Sequence, residues 1–172
     1  MKFLKALFTC FNGSRASETA QTESVQAPTS PDYVTSSGDV ARFIFSQRDL
    51  FANGTPRPKL FTPMWDDETA RFETSVCGMT NVVADRLWQL GATIRASEGK
   101  TALGAALLSV PDIQTAGLAC QPWPMPGYPE HGVILGWDPN SENKDARLVV
   151  QLELANSVSA SRIVRPSPTR SL

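Results

Sequence analysis

Histidine is nearly absent from this chain: His131 is the one imidazole in 172 residues. Cysteine is sparse as well. Cys10, Cys77 and Cys120 are an odd number at wide spacing without a C-x-x-C, which argues against a disulfide framework and a four-cysteine zinc site. A mixed site needs Cys77, Cys120 and His131 to converge, and no ligand spacing suggests that they do. No metal and no cofactor are expected. The same cysteine usage fits a reducing, cytoplasmic compartment. Excess charge is missing too: the formal net charge is -1 and no Lys/Arg run occurs, so nucleic acid is not an expected partner. There is no Gly-rich loop of the Walker or Rossmann type, and no apolar run long enough to span a bilayer.

What is present divides the chain into four parts. Residues 1–11, "MKFLKALFTCF", are basic and apolar. Read as a helix, they put Leu4, Leu7, Phe8 and Phe11 on one side with Lys2 and Lys5 flanking. Such a stripe suits docking on a partner, on the protein itself, or weakly on a membrane surface. Residues 12–39 are rich in Ser, Thr, Gln, Glu and Pro and poor in large apolar side chains. Burial there cannot offset the entropy of ordering, so a disordered linker is expected. Residues 40–165 are expected to form one domain, with 166–172 a loose tail.

Within the domain, "ARFIFSQ" (41–47) and "RFETSVC" (71–77) alternate as strands do, with Phe72, Thr74 and Val76 facing one way. "KLFTPMW" (59–65) reads as extended. "TNVVADRLWQLG" reads as a helix capped by Asn81, with Val83, Leu87 and Leu90 as its stripe and Gly91 just past its end. "ATIRA" reads as a short strand. "PDIQTAG" is a short helix opened by Pro111 and closed by Gly117. "LACQPW" and "GVILGW" are strands around the proline-rich loop "PMPGYPE". Residues 142–158 alternate, but their length and composition favour a helix capped by Asn140 or Ser141. The fold class is therefore α+β: a small antiparallel or mixed sheet with two or three helices, mostly on one face.

Two constellations carry chemistry. The first is Cys77 ahead of a helix with His131 opening a later strand, and Asp138 or Asn140 available to orient the imidazole. The second is an aromatic group, Trp123, Tyr128 and Trp137, interleaved with Pro122, Pro124, Pro126 and Pro129. Proline-stiffened aromatic loops lose little entropy on binding. Trp65 beside Asp66 and Asp67 reads as a solvated turn.

"CGMTNVVADRLWQLG" and "HGVILGW" resemble, in the same order, the cysteine–helix and histidine–strand parts of the NlpC-type cysteine peptidases. That resemblance implies amide hydrolysis by Cys77 and His131. The family's D-C-S-G is here Val76-Cys77-Gly78, so its flanking residues are missing. A second resemblance spans about residues 41–139. Arg42-Phe43-Ile44-Phe45, Ser75-Val76, Trp88, Gly91, His131, Ile134, Gly136 and Trp137 look like a set of small uncharacterised bacterial proteins. Their pattern runs R-F-I-F, S-V, W-x-x-G, then H-x-x-I-x-G-W. It implies homology without an activity, and its position matching Cys77 is not a cysteine.

The expectation is a cytoplasmic, non-enzymatic interaction or accessory protein with a protein partner. Its contact surface lies in the 122–139 region, through Trp123, Tyr128, His131 and Trp137. Residues 1–11 give a second, weak contact, to a partner or a membrane surface. The alternative is a cysteine hydrolase using Cys77, His131 and Asp138.

Overall fold

The computed structural model describes residues 32–167; residues 1–31 and 168–172, with the N-terminal stripe and most of the expected linker, lie outside it. Strand β1 (Asp39–Ile44) sits in the interior of the sheet. Its alternation puts Val40 and Ile44 on one face and Ala41 and Phe43 on the other, and both faces are buried. On one side β1 pairs along its whole length with β4 (Gly104–Ser109), and β7 (Ile163–Val164) covers the outer edge of β4. On the other side it pairs with β3 (Arg71–Gly78) only through Val40↔Gly78 and Ala41↔Cys77. The two strands then part, and Arg42 bridges the split. Its Nε donates to the Leu60 carbonyl at 3.0 Å and its Nη1 to the Ser75 carbonyl at 2.7 Å. These bonds satisfy backbone acceptors that the divergence would leave without partners.

Beyond β3 lie β6 (His131–Leu135) and the edge strand β5 (Ala119–Pro122). The strand β2 (Met64–Asp66) pairs with the first residues of β3. The path is β5-β6-β3-β1-β4-β7, and every pairing is antiparallel. Helix α1 (Ala84–Thr93) lays Leu87 and Leu90 over Ala41, Phe43, Cys77 and Ala105. The helices α2 (Val110–Thr115) and α3 (Lys144–Ser157) cover the opposite face, where Ile113 and Leu154 join Val40, Ile44, Val76 and Ile134. The α+β expectation holds, with two of the three helices on one face.

Several local expectations give way to tertiary packing. Residues 58–61 form a 3-10 turn rather than a strand, because Pro58 starts it and Leu60 and Phe61 turn inward. Asn81 does not cap α1; it sits at φ +61°, and the helix starts three residues later. Gly91 lies inside α1, not after it. A Cβ there would press on Ala102 at 2.8 Å and on the Phe43 ring at 3.1 Å, so the glycine lets helix and sheet approach. "ATIRA" accordingly finishes the helix and enters a 3-10 turn at Ala96–Glu98. Neither Asn140 nor Ser141 caps α3. Their carbonyls, with that of Asp138, instead accept bonds from Arg147.

Tyr33 and Val34, read as linker in the sequence, lie on the sheet, and Val34 is buried with Val76 and Ile134. Gly78 makes this possible: a Cβ at that position would overlap the Tyr33 carbonyl. Gly78→Ala is therefore expected to lift residues 32–34 off β3 and to cost about 1–3 kcal/mol, as overpacking does. Urea unfolding followed by tryptophan fluorescence measures it, and an unchanged midpoint would contradict this packing.

Candidate functional site

The β5–β6 loop turns at Met125-Pro126-Gly127-Tyr128. Pro126, with its fixed φ, and Gly127, at φ +76°, suit the two central positions of a type II turn. Met125 and Tyr128 exchange backbone hydrogen bonds of 3.1 and 2.9 Å across it. One step below, the Trp123 amide donates to the His131 carbonyl at 2.8 Å, and His131 Nδ1 bonds back to the Trp123 carbonyl at 2.7 Å. A carbonyl only accepts, so Nδ1 carries the hydrogen. The imidazole packs against the Tyr128 ring at 5.2 Å between centroids, and the Tyr128 hydroxyl donates to the Val76 carbonyl at 3.3 Å.

The loop is also tied to α1. Glu130 is buried, and Arg86 grips it in a two-pronged pair, Nε to Oε1 at 2.7 Å and Nη2 to Oε2 at 3.0 Å. The same Nη2 donates to the Gly127 carbonyl at 3.3 Å. Burial alone would raise the Glu130 carboxyl, but the bonds from Arg86 outweigh it and hold the carboxyl below its ordinary value. Burial likewise lowers the His131 imidazole, against the Trp123 carbonyl, which favours the protonated ring.

Cys77 and His131 stand opposite each other in the β3–β6 register, so the structure does bring them together. It does not arrange them as nucleophile and base. Cys77 is 0% exposed and packs under α1. Its thiol donates to the Gly78 carbonyl at 3.5 Å rather than to the imidazole, and burial pushes it up to about 11. A thiol that keeps its proton is not a nucleophile at neutral pH. Asp138 orients no imidazole. It stands past the far end of β6, where its carboxylate accepts from the Asn140 amide at 2.8 Å and from the Asn143 side chain, shaping the entry to α3.

Among the four expected contact residues, Trp137 is the correction. It is 5% exposed, lies in the core on the α3 face, and donates from Nε1 to the Ile134 carbonyl at 3.1 Å. The alternation of β6 breaks at Gly136, whose φ of +95° brings the indole onto the same face as Ile134. His131 and Tyr128 brace the loop from beneath, and Trp123 is the member that reaches solvent, at 42% exposed. Around it Pro122, Pro124, Met125 and Pro126 are all exposed. Arg71 places its guanidinium over the Trp123 ring at 5.1 Å. Below the loop lies a cleft of about 260 Å³ lined by Tyr33, Val34, Pro122, Pro124, Pro129 and His131. Sequence reading missed Arg86, Tyr33 and Met125. Met125 alone carried a signal, an apolar residue between two prolines in a turn.

The residues behind the second resemblance do structural work here: Arg42 bridges two strands, Gly91 admits a helix, Trp137 fills the core. No family model, no curated protein and no solved structure matches this chain. Among the described residues no three His, Cys, Asp or Glu side chains gather to hold a metal ion. None of the described helices is long and apolar enough to cross a membrane.

Two outcomes follow from this geometry. In the folded protein Cys77 is expected to resist iodoacetamide at neutral pH and to label only on unfolding, read by peptide mass spectrometry; fast labelling slowed by His131→Ala would restore the nucleophile. The second concerns pH. The folded-state pKa of His131 lies below its unfolded value, so the unfolded chain takes up the proton first. Stability is then complete above about pH 6.5, the unfolded value, and falls as the pH drops toward the folded one. Urea midpoints between about pH 7 and pH 5 should show this slope and show it reduced in His131→Gln. An equal slope in both would remove His131 as its source.

Proposed function

We propose that this chain is a non-enzymatic interaction module whose contact surface is the exposed loop 122–127 together with the cleft beneath it. One observation carries the reading: a run of exposed apolar residues is held in a fixed shape by buried polar bonds. Trp123 and Met125 project from a turn whose base is fastened by His131, Tyr128 and the Arg86–Glu130 pair. Side chains presented on a pre-ordered loop give up little entropy on binding, and tryptophan is among the strongest anchors of interfaces. The partner of this reading is a protein offering an apolar pocket to Trp123. Burial of Cys77 weighs for binding over amide hydrolysis. Among the described residues Cys77 and Cys120 form no disulfide, which fits a reducing cytoplasm.

Site-specific photocrosslinking in cells tests it. p-Benzoylphenylalanine replaces Met125 in the full chain, with the same probe at exposed Gln114 on α2 as the control. A discrete adduct from position 125, not from 114, and weakened roughly 30-fold by Trp123→Ser, is expected for an anchor residue. Adducts of equal yield from both positions, or indifference to Trp123→Ser, would overturn the assignment.

A further inference from the structure

Strand β5 is the edge of the sheet on the loop side, and its outer rim is open. The Trp123 amide points to β6, where it reaches the His131 carbonyl. The register runs without a break from Ala119↔Leu135 to Pro122↔Gly132, so Ala119 and Gln121 also turn their backbone groups to β6. Cys120 and Pro122 turn theirs outward. Leu118, in the same phase, marks where the rim closes: its amide is taken by the Ile113 carbonyl of α2. Past it Ala119, Gln121 and Pro122 are exposed, and among the described residues no strand lies on the outer side of β5. The rim presents two acceptors, the Cys120 and Pro122 carbonyls, and one donor, the Cys120 amide, since proline has no N–H.

That inventory selects the occupant. Two copies of β5 set edge to edge bring only their Cys120 amides as donors, and acceptors are left over. Pro122 thus blunts pairing of the chain with itself. A strand from another protein, free of proline, satisfies the whole rim. One of its residues exchanges two bonds with Cys120, and another donates a third to the Pro122 carbonyl.

The two faces beside the rim differ. Pro122 pairs with Gly132, where a Cβ would meet Val34 at 3.0 Å, so Pro122 and Val34 share a face. On that face lies the cleft of about 260 Å³, walled by Tyr33, Val34 and three prolines. It is smaller than the sites of small molecules, at about 300–1,000 Å³, and suits a single apolar side chain. Exposed Asp32 is the acid of its lining and disfavours an acidic one. Trp123 comes next in the alternation and rises on the other face, under the Arg71 guanidinium. Arg71 stands 3.7 Å from Glu73, so the two charges there offset each other.

We propose, on the reading of loop 122–127 as the contact surface, that an extended segment of the protein partner adds to β5 as an antiparallel strand. Its residue opposite Pro122 is apolar and enters the cleft, and the segment runs on beside Trp123. An mRNA-displayed library of random linear peptides, selected on the full chain, supplies the probes. Enriched peptides are expected to share an apolar residue, with no proline there or two residues C-terminal to it. N-methylation of either of those two amides should weaken binding about tenfold, whereas the amide between them should tolerate it within about twofold. Binding should also slow hydrogen exchange at the Cys120 amide. Cys120→Pro deletes that donor without breaking a bond inside the sheet and should weaken binding about tenfold. Its urea midpoint checks the fold, and the N-methylated peptides give the same test on the native chain. Peptides that leave Cys120 exchange unchanged, or that lose equally at all three amides, overturn the strand; so does a selection that enriches nothing. The loop is read separately. Crosslinking from position 125 that depends on Trp123, alongside any of these failures, keeps the loop and removes the strand. Peptides that protect Cys120 yet ignore Trp123→Ser keep the strand and remove Trp123 as the anchor.

Discussion

The Arg86–Glu130 ion pair holds together the end of the molecule on which the functional reading rests. Glu130 is the residue before β6; its carbonyl accepts the Gly78 amide at 2.8 Å, and its carboxylate is buried against α1. A buried carboxylate is tolerable only when paired and hydrogen-bonded, and removal of its partner costs about 3–5 kcal/mol in measured cases. Through that one pair, α1, the end of β3 and the β5–β6 loop are fixed relative to one another. The reach of Arg86 Nη2 to the Gly127 carbonyl extends the constraint to the turn itself. Loop 122–127 is therefore an arm of the scaffold, fastened from inside and apolar outside.

The same packing weighs against chemistry at Cys77. A cysteine and a histidine facing each other in register look like a catalytic pair on paper. Here the pairing serves the sheet: the imidazole is committed to the Trp123 carbonyl, and the thiol is sealed under Leu87 and Leu90 with its proton retained. Proximity without a thiolate and without access is packing. Arg42, Gly91 and Trp137, on which the second resemblance rests, each solve a problem of folding rather than of catalysis.

Much of the fold was legible because it rests on period and punctuation. The alternation of β3, the apolar run of β6, and the Pro111 and Gly117 brackets of α2 are local signals, and the structure honours each. What failed depended on contacts between distant residues. Gly91 reads as a helix stop until Phe43 and Ala102 are placed against it. Asn81 reads as a cap until the chain turns through a positive φ. Trp137 reads as part of an aromatic surface until Gly136 rotates it inward. The face of α3 was the least legible, because a stripe of Leu148, Val149 and Leu152 ordinarily marks the buried side. Arg147 reverses it: three loop carbonyls and the Phe72 ring offer the guanidinium a site that an apolar residue cannot fill. Of the four expected contact residues, Trp123 is exposed, His131 and Tyr128 lie beneath it, and Trp137 is buried.

Among the described residues, two groups of exposed apolar side chains are the braced loop at one end of β3 and the outward stripe of α3. The central claim is that the loop is ordered before any partner arrives. Backbone 15N relaxation of the free protein tests it at the amides of Trp123, Met125, Gly127 and Tyr128. Order parameters of about 0.85, as in rigid backbone, are the result this account expects; values below about 0.6 would show a flexible loop and contradict it.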